Sequence, residues 1–163
     1  MVGRENLMNR KRIVLVLVVA LLLLLALPVA AAGWEARITG GGEAMAGGIP
    51  FSITTSAWMD AGGNAAGQIQ YTRSDLAFHA AVECMGVFDD GDVAVAAGPA
   101  WAQEGTIAAG AWAVVEINEG GTGSGDTVRV RLMSEAGAWD LCDNPSGSFP
   151  GTIYDGNFNI RLK

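Results

Sequence analysis

The chain has 163 residues, with 17 acidic side chains, 10 basic ones and a single His, and its net charge is −7. That length fits one domain. An acidic chain is poorly matched to phosphate backbones, which are bound through clustered Lys and Arg, and one His with two Cys cannot build a His- or Cys-rich zinc site.

Residues 1–32 read as a secretory address. Arg4, Arg10, Lys11 and Arg12 stand against one acid, Glu5, and Ile13–Leu27 is apolar without a break. Pro28 and Val29-Ala30-Ala31-Ala32 follow. A basic start, a short apolar core and an Ala-x-Ala exit predict a signal peptide cleaved after Ala32. Ile13–Ala32 is also just long enough to cross a bilayer as a helix, so an uncleaved N-terminal anchor is the alternative. Residues 33–163 keep six bases and 16 acids, a net charge of −10. Such a surface repels nucleic acid and anionic membranes, and no partner of either kind is expected after cleavage.

After residue 33 the recurring signal is alternation, and no stretch holds a helical period over about 11 residues. Strands are expected at Glu35–Thr39 and Ile49–Thr55, the latter with Ile49, Phe51 and Ile53 on one face. Gln68–Tyr71 follows, then Leu76–Cys84 with Phe78, Ala80, Val82 and Cys84 on one face and His79 and Glu83 on the other. Val93–Ala97 is next. Ala111–Asn118 is apolar on both faces, with Trp112 and Val114 opposite Val115 and Ile117, as in a strand packed on both sides. Thr127–Leu132 and Asn157–Leu162 alternate cleanly.

Glycine-rich runs separate these segments: Gly40-Gly41-Gly42, Gly47-Gly48, Gly62-Gly63-Asn64, Asp89-Asp90-Gly91-Asp92 and 120–126. Asp155-Gly156 reads as a tight turn or a bulge within the last strand region. Short strands with short links predict an all-β domain over 33–163. The expected arrangement is a single antiparallel meander of about eight strands closing as a small up-and-down barrel. A β-sandwich is the alternative.

Five segments carry a resemblance. They are Ala36-Arg37-Ile38-Thr39-Gly40-Gly41-Gly42, Gly67-Gln68-Ile69-Gln70-Tyr71-Thr72 and Phe78-His79-Ala80-Ala81-Val82-Glu83-Cys84, then Asp126-Thr127-Val128-Arg129-Val130 and Asp155-Gly156-Asn157-Phe158-Asn159-Ile160. Together they resemble a family of small exported bacterial β-domains, similar to post choice-of-anchor domains. The resemblance implies a bacterial, exported, all-β domain and carries over no catalytic residue.

Export makes the cysteines readable, because an oxidising compartment permits a disulfide. The only intramolecular pairing is Cys84 with Cys142, and no C-x-x-C motif marks a redox pair. Closing so long a loop is worth roughly 4 kcal/mol in the chain-entropy treatment.

Other chemistry is thinner. His79 needs a carboxylate beside it to act as a base, and Glu83, four residues along the same strand, is about 13 Å away. A carboxylate-pair hydrolase is arithmetically open with 16 acids, but no spacing singles out a pair. Asp89, Asp90 and Asp92 on one turn offer hard oxygen ligands to calcium as a cofactor, without the twelve-residue loop of an EF-hand. Their other reading is a solvated hairpin tip. Glu119 and Asp126 bracket a second glycine-rich turn in the same way. The run 121–126 lacks a Walker Lys and leads into a strand, which excludes a nucleotide loop.

Trp58, Trp101 and Trp139 fall near strand ends or loops, where aromatic rings can meet a glycan or small ligand; Trp112 is expected in the core, and packing of all five tryptophans is the plainer reading. The first functional expectation is therefore a non-enzymatic extracellular or cell-surface structural or interaction domain. A glycan- or small-ligand-binding β-module, with or without calcium, is the second. A hydrolase is the third.

Overall fold

The computed structural model describes residues 33–120, 125–146 and 149–163, so the signal segment lies outside the described residues. The strands are β1 (Trp34–Ala46), β2 (Ile49–Asp60), β3 (Ala65–Arg73), β4 (Leu76–Ala81), β5 (Cys84–Phe88), β6 (Val93–Glu104), β7 (Trp112–Asn118), β8 (Thr127–Met133) and β9 (Gly151–Leu162). One helix, α1 (Glu135–Asp143), lies between β8 and β9. The strands form a single antiparallel sheet in the order β4-β3-β2-β1-β9-β8-β7-β6-β5. A further β4–β6 pairing turns eight of them into a ring. The all-β meander is thus as expected, and the sandwich alternative is not adopted.

The ring is not a clean barrel. β4 and β5 run in succession along β6, Ala77–Ala80 opposite its far half and Cys84–Phe88 opposite its near half. The seam between β8 and β9 is thin, with only Thr127–Thr152 and Val128–Gly151 in register.

Alternation fixes what lies inside. Ile38, Ile53, Ile69, Phe78, Val115, Ile117, Val128, Ile153 and Phe158 are fully buried in the ring. Each such side chain contributes about 1.5–3 kcal/mol relative to exposure. Ala36, Ala57, Ala80, Ala94, Ala96 and Ala113 share the interior, and small side chains at these places let a narrow ring close around the larger ones.

A second cluster sits on the outside, where Cys84, Val95, Ala97, Trp112 and Val114 are covered by Ala138, Leu141 and Cys142 of α1. This accounts for the two-sided apolarity of 111–118: Val115 and Ile117 face the bore, while Trp112 and Val114 face the helix. The helix itself was not expected. At nine residues it is shorter than the window in which a helical period becomes legible. Its start is marked in the sequence by Ser134, whose Oγ accepts the Gly137 N–H at 3.4 Å, and by Glu135 in the first turn.

Two local readings change, and one open alternative is decided. Gly40-Gly41-Gly42 is not a turn but the middle of β1. A Cβ at Gly40 or Gly42 would run into the backbone of β9, and one at Gly41 into that of β2, so these glycines mark close backbone approach. The strand expected at Leu76–Cys84 ends at Ala81, and after the break Cys84 points outward to α1 rather than inward with Phe78. A one-residue slip reverses faces. Gly98 permits the break, because any Cβ there would overlap the Ala81 carbonyl. Near Asp155-Gly156 the bulge option is the one adopted: Glu43 pairs with Asp155 and Ala44 with Ile153, leaving Tyr154 as the extra residue.

Candidate binding face

The outer wall over β9, β1, β2, β3 and β4 is built by the residues that alternate with the core. Two adjacent cross-strand rows run across it. One reads Asn157, Gly41, Thr54, Gln70, His79 and, through the β4–β6 pairing, Trp101. The other reads Asn159, Thr39, Ser56, Gln68 and Ala81. Neither row contains Asp, Glu, Lys or Arg. Charges stand only at the margins. Ser52 donates to Glu43 at 2.6 Å on one side, and Arg161 donates from Nε to Asn159 at 2.6 Å on the other. At about 4.8 Å between strands, the first row follows the curved wall of the ring for about 19 Å from Gly41 to Trp101.

His79 does not meet a carboxylate. Among the described residues it forms no ion pair, and its ring lies against Trp101 with centroids 6.1 Å apart and planes 21° apart. That pair makes a broad aromatic plate at one end of the uncharged row.

The three tryptophans singled out from the sequence are all on the surface, Trp58 at 42 %, Trp101 at 52 % and Trp139 at 44 % exposure, and Trp112 is buried. They do not converge. The Trp101 row crosses β2 at Thr54, and Trp58 lies four residues further along that strand, about 13 Å away before the intervening strands are counted. Trp139 rides on α1, its ring 6.1 Å from that of Trp112. Trp58 and Trp101 therefore edge one face, and Trp139 belongs elsewhere.

Asp89, Asp90 and Asp92 occupy an exposed 3-10 turn between β5 and β6, with Asp89 and Asp90 at positive φ. Among the described residues no group of three or more His, Cys, Asp or Glu side chains is arranged to share a metal ion. Cys84 and Cys142 form the disulfide, with Cα atoms 6.2 Å apart, joining the start of β5 to the end of α1.

Three further acids have structural partners. Asp126, fully buried, accepts the Phe158 N–H at 2.7 Å through Oδ2 and the Gly120 N–H at 3.2 Å through Oδ1. Glu119 accepts the Ile160 N–H at 2.8 Å. Both replace the backbone partner that β9 lacks beyond its short pairing with β8. Glu116, also fully buried, pairs with Arg131 and accepts from the Ser146 N–H at 3.0 Å and the Ser146 hydroxyl at 2.6 Å. The sequence reading passed over Glu116. Its signal was an acid inside the apolar run Ala113–Ile117 with basic residues opposite on the next strand.

At the end of the ring that carries the β1–β2 and β3–β4 turns, a cavity of about 140 Å³ opens beside the β8–β9 seam. Phe51, Tyr71, Arg73, Val128, Val130 and Pro150 are among its walls. Phe51 lies tilted against Tyr71 with centroids 5.5 Å apart, and Tyr71 stacks on Phe78 with centroids 4.9 Å apart. Burial pushes the Tyr71 phenol above its ordinary pKa, so it stands as a neutral hydroxyl beside Arg73. Arg73 holds Asp75 through Nε and Nη2 at 2.6 and 3.0 Å, and this hydrogen bonding keeps the Asp75 carboxyl below its ordinary range.

No family model, curated protein or solved structure matches the chain.

Proposed function

We propose that the protein is a non-enzymatic extracellular interaction domain that holds an uncharged polysaccharide across the outer wall of β1–β4 and β9. One observation carries this reading. Seven Ser, Thr, Gln and Asn side chains fill two adjacent rows without a charge, in a domain of net charge −10, and the Trp101–His79 plate closes one row. Sugar rings offer hydroxyls to amides and alcohols and an apolar C–H face to an indole, so this mixture matches glycan chemistry. Hydrogen-bonded strands also keep these groups in fixed register, which lowers the ordering cost of binding.

Export supports the same reading, since a Sec-type leader would deliver the domain to where polysaccharides are met. A hydrolytic reading gains nothing from the acids of β7 and the loop after it. Glu116, Asp126 and Glu119 already serve an arginine, a serine and backbone amides as acceptors.

The test is co-sedimentation of the purified protein with insoluble cellulose, chitin and peptidoglycan, with and without chelator. Saturable retention on a neutral polymer, lost in Trp101→Ala and weakened in Gln70→Ala, is the expected result. Loss on chelation would bring Asp89, Asp90 and Asp92 in as calcium ligands. Retention indifferent to both substitutions, or none on any polymer, would leave a protein partner as the reading to pursue.

A further inference from the structure

We propose that the cavity at the open end of the ring is a second, separate site, for a small monocarboxylate carrying one ring or a short branched chain. The walls are apolar on the bore side, where Phe51, Tyr71, Val128 and Val130 meet. Ile49 and Pro150 stand exposed at its lip, apolar surface that an occupant would cover. At about 140 Å³ the space is close to that of an engineered protein cavity of about 150 Å³ that accepts benzene. The enclosed space thus matches an occupant of one ring in size.

The polar groups give the sign of charge. Arg73 lines the cavity with the Tyr71 hydroxyl beside it, and both are hydrogen-bond donors. Arg129 also contributes to the lining, although its Nη1 is turned to Ser146 at 2.8 Å. The pair that Arg73 makes with Asp75 engages Nε and Nη2 and leaves Nη1 outside it. Asp75 is largely exposed, and exposed ion pairs contribute little. A ligand carboxylate set against the apolar wall is less hydrated and can share or take over the guanidinium. The lining itself holds two arginines and no carboxylate; the nearest acids are Asp75, paired with Arg73, and Glu43 and Glu104 on the open hollow that shares Phe51 and Arg73, so an anion is favoured where it reaches Arg73 inside the cavity.

Calorimetric titration with benzoate and with its neutral isostere benzamide tests this directly. Benzoate is expected to bind saturably and at least about tenfold more tightly than benzamide. Arg73→Gln should reduce that preference to near unity, while Asp75→Asn, which removes the competing anion, should tighten benzoate. Val130→Phe, which fills the cavity, should abolish binding of both probes. Should the filled variant fail to fold, the two surface variants still decide the matter. Equal binding of the two probes, no heat from either up to about 10 mM, or an Arg73→Gln protein that keeps its preference for benzoate would overturn the proposal.

Discussion

Asp126→Ala is the sharpest probe of how the ring is held shut. β9 is 12 residues long, yet β8 is in register with only its first two. Further along β9, the Phe158 N–H is met by the buried Asp126 carboxylate at 2.7 Å, and the same side chain takes the Gly120 N–H at 3.2 Å. A hydrogen bond to a charged acceptor is worth about 1.5–3 kcal/mol, and orphaning a buried donor adds to the loss. The Gly120 bond is longer and only part-buried, so it adds less. Together these give a loss of about 3 kcal/mol.

For the 131 residues of 33–163, an unfolding entropy of about 0.28 kcal/mol/K converts that loss to a fall in Tm of about 11 °C. Urea unfolding followed by tryptophan fluorescence measures the loss, and amide exchange at Phe158 reports where it occurs. Asp126→Asn keeps an acceptor oxygen for one of the two amides and should fall between wild type and the alanine variant. A loss below about 0.5 kcal/mol in Asp126→Ala, the range of an ordinary surface change, would refute this account of the seam.

Other consequences follow from the same contacts. Cys84→Ser should lower stability under oxidising conditions by roughly 4 kcal/mol, less any strain relieved; reductant should bring wild type to the same melting temperature and leave the variant unmoved. Gly98→Val should prevent folding or yield insoluble protein, since the added side chain meets the Ala81 carbonyl; a soluble variant with a wild-type circular dichroism spectrum would show that the strand break does not depend on this approach. Asp60 has its pKa lowered, first by the Asn64 side chain and then by backbone N–H groups of the same turn. Its contribution is present above the ordinary value of 3.8 and is lost as pH falls through the lower folded value. The Gly62 and Asn64 amides should therefore shift together on acidification below that range, and an Asp60 titration at an ordinary carboxylate pKa would count against the turn bonds.

Much of the fold could be read from two-residue alternation. Phe51 and Ile53, Ile69 and Tyr71, and Phe158 and Ile160 all face the bore as their spacing implies. What could not be read was any feature set by a distant partner. Glycines in β1 look like turn residues until β9 and β2 are laid against them. The outward turn of Cys84 depends on how β6 crosses Ala81. Alpha-helix α1 is too short to announce a period, although the apolar surface it covers on Trp112 and Val114 was visible as a second face.

The site follows the same division. Positions near strand ends made Trp58, Trp101 and Trp139 candidates for exposure against the packing that is the default for aromatic rings, but which of them share a face depends on register. The uncharged rows became visible only when Thr54 was set beside Gln70 and Gln70 beside His79. Glu119 and Asp126, read as turn acids open to calcium, turn out to be acceptors for the amides of β9.

The most direct test of the binding face is a chemical-shift map of the protein titrated with a soluble neutral oligosaccharide. The account predicts saturating shifts in the amides of Thr54, Gln70 and His79 and in the indole N–H of Trp101, with Trp139 and the residues around Arg73 unmoved. Shifts confined to the cavity or to α1, or none with any neutral oligosaccharide, would contradict it.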